Sequence, residues 1–268
     1  MTKLWQADDA ARIVRLPSVD DDKYRRGVVG IHTGSLAYPG AAMLGVEGAW
    51  RAGAGMVRYS GPVSAELILH RRPETVIGSG RVGAWVIGSG TDPAARSDED
   101  TAELRAILSG HAPVVVDAGA LDLVTAASAP LVLTPHAGEF SRLAASLAFD
   151  VIGVREDDVA GVAARAGAVV LLKGHDTIVA DPSGGLVHVQ AAPTWLATAG
   201  AGDVLAGVIG ALIAQRPDVP LRDAVATAAW LHGRAATIAA AADSGPGRPI
   251  VALDVAEALP AAVGEVLA

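Results

Sequence analysis

The stretch best suited to chemistry is Thr198-Ala-Gly-Ala-Gly-Asp203, followed by an apolar run without a polar residue until Gln215. Four small residues leave the backbone bare just before an acid, which predicts a tight turn opening a buried helix. The free N–H groups and positive dipole end of a helix start suit an anion such as phosphate. Glycines allow a ligand to come close to the main chain. A carboxylate at that point repels a resting anion, but it can take a proton from a group that attacks the anion. The set therefore suggests phosphoryl transfer to a hydroxyl. An early Asp also simply stabilises a helix start through the dipole, and the motif alone leaves both readings open. A second polar segment, Lys173-Gly-His-Asp-Thr177, lies a loop's length upstream and would share the same site.

Such groups need strands to carry them. Val28–His32, Met56–Ser60, Thr75–Ile77, Ala84–Ile87, Val114–Asp117, Leu131–Thr134 and Val169–Lys173 read as short buried strands, several ending in polar residues. Helical spacing is predicted over Ala41–Ala52, from Ser64 to His70, Asp98–Leu108, after Pro135-His-Ala-Gly-Glu139 to Leu147, and 154–166. Asp176–Ala180 and Leu186–Val189 flank the turn Asp181-Pro-Ser-Gly-Gly185 as a hairpin. Residues 1–26 read as a charged arm with a helical patch at Ala7–Val14, and Leu221–Ala242 and Ala252–Leu259 as covering helices. The alternation of strands and helices predicts one α/β domain over residues 1–268, with a central, mostly parallel sheet flanked by helices on both faces. In such a sheet the strand ends gather in one crevice.

Composition narrows the classes. Aromatics are only 4% of the 268 residues while Gly and Ala abound, so the core must rest on close backbone approach and aliphatic packing. With no cysteine, disulfides and thiolate metal sites are excluded. A net charge of -8 without a long basic run argues against nucleic acid. The N-terminus lacks a signal-peptide core, and Val204–Ala214 is too short to span a bilayer; no membrane role and a cytoplasmic location are expected. Gly78-Ser-Gly-Arg-Val-Gly83 matches G-x-G-x-x-G literally, but a strand follows it where a dinucleotide fingerprint opens a helix. No Walker P-loop, G-x-S-x-G elbow or H-E-x-x-H occurs.

The order of the motifs resembles the ribokinase-like superfamily and, within it, the NAD(P)H-hydrate dehydratases. The resemblance is carried by Tyr38-Pro-Gly-Ala-Ala42, Ile87-Gly-Ser-Gly90, Asp117-Ala-Gly-Ala-Leu121, Thr134-Pro-His-Ala-Gly-Glu-Phe140, Leu172-Lys-Gly-His-Asp-Thr177 and Ala197-Thr-Ala-Gly-Ala-Gly-Asp-Val-Leu-Ala-Gly207, across about residues 25–260. It implies nucleotide-dependent dehydration of the S-epimer of NADH or NADPH hydrate, with ADP the favoured donor, ATP the other, and Mg²⁺ present. It implies Asp203 as the general base that also binds the hydrate, with Ala41, Gly90 and His136 holding that substrate. Lys173, Gly174, His175, Asp176, Thr177 and Gly202 would face the nucleotide, and the N–H groups of Ala201, Gly202 and Asp203 would form an anion hole. No protein metal ligand is assigned. A homo-oligomer, a tetramer first, is also implied. Val189-Gln-Ala-Ala-Pro-Thr-Trp195 departs from the family's usual Asn-Pro-Thr-Gly-Asn-like segment, and Trp195 is expected to stack on a base. The length leaves room for the dehydratase without a fused epimerase. The competing readings are a hydroxyethylthiazole- or hydroxymethylpyrimidine-type kinase and a non-catalytic nucleotide-binding protein.

Overall fold

The computed structural model describes residues 3–268; Met1 and Thr2, the start of the expected arm, lie outside them. Ten strands form one sheet in the order β1-β10-β9-β8-β7-β6-β5-β2-β3-β4. Here β1 is Lys3–Leu4, β2 Val28–His32, β3 Met56–Tyr59, β4 Val76–Ile77 and β5 Ala84–Ile87. The remainder are β6 Val114–Val116, β7 Leu131–Leu133, β8 Val169–Leu172, β9 Thr177–Ala180 and β10 Leu186–Val189. From β4 through β8 every pairing is parallel, while β8, β9 and β10 pair antiparallel. Both sheet margins are two-residue strands.

The central strands are apolar on both faces because each face is covered. Alternate residues such as Val29, Ile31, Val115, Val132 and Leu171 join a core with α2 (Pro39–Arg51), α7 (Ala201–Gln215), α8 (Leu221–Ala240) and α9 (Ala252–Leu267). The other set, including Val114, Val116, Leu133, Val170 and Leu172, packs against α4 (Asp98–Leu108), α5 (Ala137–Ser146) and α6 (Arg155–Ala166). The short α3 (Ala65–Arg71) is capped by Ser64 as expected.

Small residues make the α2–α7 seam possible. A Cβ on Gly48 would lie 2.3 Å from the Val204 carbonyl, and one on Gly207 2.1 Å from that of Gly45. The backbones therefore meet with nothing between them.

Two expectations are corrected. The N-terminal arm is built into the fold: β1 pairs with β10, Trp5 is buried with its indole N–H donating to Thr227 Oγ1 at 3.2 Å, and α1 (Ala7–Ile13) buries Ala10 and Ile13. Helix α9 runs on to Leu267 instead of ending at Leu259; Pro260 removes one N–H, yet Ala262 beyond it is still fully buried. Ala118–Ala126, to which the sequence reading assigned no element, winds as a 3₁₀ segment. Among the described residues no helix is long and apolar enough to cross a membrane.

Candidate active site

Gly200 sets the entry to α7. Its backbone is left-handed, with φ +85°, and a Cβ there would sit 2.4 Å from Leu44 Cδ1. Only glycine meets both demands. The turn leaves the first N–H groups of α7 without intrahelical acceptors. That of Ala201 leans back to the Thr198 carbonyl at 3.4 Å, so the freer pair of the expected anion hole is Gly202 and Asp203.

Asp203 stands in this first turn, half-buried. Burial pushes its carboxyl up to about 6; the nearby Asp117 charge adds to the rise and Lys173 opposes it. Lys173, just past β8, lies 2.7 Å from Asp117 Oδ1 and 3.8 Å from Glu139 Oε2. A Cβ added to Gly202 would be 3.5 Å from the Lys173 ammonium, so that charge lies against the residue before Asp203.

A cavity of about 560 Å³ opens beside this turn. Its lining includes His136, Lys173, Gly174, His175, Thr177, Gly202, Thr198 and Ala201. Apolar side chains also line it, among them Val189, Ala191, Pro193, Leu205 and Ala229. The lining thus combines donors and an ammonium suited to phosphates with apolar surface suited to a base or sugar. His136 caps α5: its Nδ1 accepts from Gly138 N–H at 3.0 Å, and its backbone N–H donates to Glu139 Oε2 at 2.9 Å. This leaves the proton on Nε2, on an exposed ring edge.

Not every expected residue lies in this cavity's wall; Asp203 itself does not, although Gly202 before it does. Asp176 is outside its wall; its carboxylate pairs with His188 Nδ1 at 2.8 Å and Arg155 at 3.8 Å, neighbours on β10 and α6. Trp195 is also outside it, because its indole N–H donates to the Pro246 carbonyl at 2.7 Å and ties the ring to another loop. Ala41 and Gly90 lie together elsewhere. Gly90 has φ +67°, and a Cβ there would be 2.4 Å from Ala41 Cβ, beside the loop that begins at Gly34. Ala41 opens α2, whose Leu44 and Gly45 flank the start of α7. The first turn of α7 therefore has α2 on one side and the cavity on the other.

Residues given no role by the sequence reading complete the crevice. The carboxylate of Asp117 is buried and accepts from Ser89 Oγ and Thr134 Oγ1, both at 2.8 Å, as well as from Lys173. Each partner follows its own strand, and the polar strand endings were the available signal. His232, on α8, lines the cavity with Nε2 buried and unpartnered, and burial pushes its imidazole down to about 4. A lone His in a small-residue helix gave little warning.

Comparison with known proteins agrees with this architecture. The chain is 44% identical over 254 residues to a bifunctional NAD(P)H-hydrate repair enzyme of Mycobacterium leprae, covering 90% of this chain and 52% of the relative. It thus spans about half the length of such curated relatives. It is 33% identical to an ADP-dependent (S)-NAD(P)H-hydrate dehydratase of Neisseria meningitidis, covering 82% of this chain and 79% of that one. Among solved structures, an ADP/ATP-dependent NAD(P)H-hydrate dehydratase from Bacillus subtilis, co-crystallised with ATP and Mg²⁺, superposes with a TM-score of 0.85 at 26% identity over 99% of both chains. A ribokinase-like superfamily protein of Enterococcus faecalis shares the fold, with a TM-score of 0.83 at 21% identity, covering 98% of this chain and 96% of that one. With the family's sequence profile matching residues 29–260, the chain belongs to the carbohydrate-kinase-like family described as NAD(P)H-hydrate dehydratase.

Proposed function

We propose that this chain returns the S-epimer of NADH or NADPH hydrate to the intact cofactor, using ADP as the favoured phosphoryl donor and ATP as the alternative. The observation that carries the reading is a carboxyl pushed up to about 6 by burial, held in the amide-rich first turn of α7 beside a cavity lined by the Lys173 ammonium. The hydrate hydroxyl would give its proton to Asp203 as its oxygen bonds to the terminal phosphorus of the donor. The bond from that phosphorus to the bridging oxygen breaks, and ADP leaves as AMP. Phosphate then departs from the ring carbon with the C–O electron pair, and a proton lost from the adjacent carbon restores the double bond. The N–H groups of Gly202 and Asp203, with Lys173, would hold the migrating charge. Gly174, His175 and Thr177 would line the nucleotide's side, and Ala41, Gly90 and His136 the hydrate's.

Among the described residues no three His, Asp or Glu side chains gather as a metal-binding group, so the donor set does not fit a resident ion held by protein alone. Magnesium would accompany the nucleotide on its phosphate oxygens. We read residues 1–268 as one cytoplasmic domain that assembles with copies of itself, a tetramer first; light scattering on the purified protein reads the subunit number directly.

The test is to supply purified protein with the hydrate, Mg²⁺ and either ADP or ATP, and to follow the near-ultraviolet absorbance of the reduced nicotinamide. Recovery that depends on the nucleotide is expected. No recovery with either donor overturns the proposal, and a stable phosphorylated product would instead mark a small-molecule kinase.

A further inference from the structure

Four neighbouring parallel strands deliver one polar residue each just beyond their C-terminal ends: Ser89 after β5, Asp117 after β6, Thr134 after β7 and Lys173 after β8. They converge on a single carboxylate. Asp117 Oδ1 accepts from Lys173 Nζ at 2.7 Å and from Thr134 Oγ1 at 2.8 Å, while Oδ2 accepts from Ser89 Oγ at 2.8 Å. Phosphate binding would need Lys173 alone. It gives no reason for a buried carboxylate opposite it, nor for two hydroxyls that fix that carboxylate. A buried ion pair contributes little to stability compared with an apolar pair of similar volume. The arrangement therefore calls for a different account.

We propose that Asp117 and Lys173 are positioning residues acting on Asp203 as an opposed pair: the ammonium favours its ionised form, Asp117 favours its protonated form, and the Ser89 and Thr134 hydroxyls keep both charges in place. This rests on the reading of Asp203 as the acceptor of the substrate proton. The ammonium lies against Gly202, the residue before the base. Burial raises the proton affinity of Asp203, Asp117 raises it further, and Lys173 draws it back. A base needs enough affinity to take the proton and must still be ionised near neutral pH; the opposed pair meets both needs. The other titratable groups around this turn are Glu139 and His136 at the start of α5, His175 beyond β8 and His232 on α8. Glu139 faces Lys173 at 3.8 Å, and His232 is held neutral by burial. Asp117 and Lys173 are the charges that shift Asp203.

The experiment reads the carboxyl ¹³C shift of Asp203 against pH in the full chain without ligands, assigned by its loss in Asp203→Asn. Asp203 is expected to titrate at about 6 in the parent. Asp117→Asn should lower that value and Lys173→Met raise it, each by about one unit or tenfold in proton affinity. The acid limb of kcat/KM should move with it. If Asp203 titrates unchanged in both variants, or moves the same way in both, the proposal is overturned and Asp117 is an anchor only. Should one single variant not fold, the other decides: Asp203 titrating unchanged in it, or shifted against the stated direction, overturns the proposal. Opposite shifts without nucleotide-dependent dehydration would sink the functional reading and leave the charge pair standing. Dehydration with an immobile titration would do the reverse.

Discussion

Asp203 carries a cost that its position makes measurable. Its carboxyl titrates at about 6 in the fold against an ordinary 3.8, so the native state holds that proton more tightly than the unfolded chain. The stability this brings is complete below about pH 4 and is lost as the pH rises through about 6. Ionised Asp203 therefore costs up to about 3 kcal/mol above that range. Asp203→Asn should unfold at a higher temperature than the parent at about pH 8, with the gain vanishing near pH 4. The same substitution should lower dehydration roughly 10²–10⁴-fold, since a positioned base is lost. A variant that is more stable yet inactive would mark strain retained for function. The sequence exposed this residue because small residues precede it and an apolar helix follows. Asp117 was legible only as a polar strand ending, because the partners that give it meaning, Ser89, Thr134 and Lys173, lie far away in sequence and meet only when the sheet forms. Asp176 shows the reverse: it sits within the motif at the site, yet a partner on β10, His188, draws its carboxylate aside.

Among the elements, α2 and α7 decide where the base stands. Their seam admits no Cβ at Gly207, which would meet the Gly45 carbonyl at 2.1 Å. Gly207→Ala should push the helices apart, costing about 1–3 kcal/mol in denaturant unfolding and lowering turnover as the first turn of α7 shifts. Gly264→Ala on α9 is the contrast, for nothing lies within 4 Å of its added Cβ. There the gain in helix propensity should raise stability by about 0.5–1 kcal/mol. Strand positions were readable because Val, Leu and Ile runs stop at polar residues. Helix limits were less so: Pro39 is tolerated in the first turn, where no intrahelical N–H is needed, and α2 therefore starts two residues before the expected Ala41. Pro260 lies within a helix held by buried residues on both sides, Leu259 and Ala262.

At the scale of the molecule, the first residues matter more than their charged composition suggested. Trp5 is only 4% exposed, reaches Thr227 on α8, and lies under the Lys3 ammonium at 4.7 Å from the ring centre. Trp5→Ala should cost about 3–5 kcal/mol in thermal or denaturant unfolding, as for a fully buried aromatic. A loss below about 1 kcal/mol would mean the segment only drapes over the fold. The parallel α/β plan was legible from alternation alone, whereas the return of the N-terminus to β10 was not, since two residues of strand carry no periodic signal. That return also bears on the sheet's margins. A wide sheet with long free borders invites copies to add strand by strand into fibrils. Here each border is two residues long, β1 carrying Lys3 on one side and β4 on the other. Too few backbone groups line up there to template a new strand, so such growth would first have to peel the N-terminal segment away from β10.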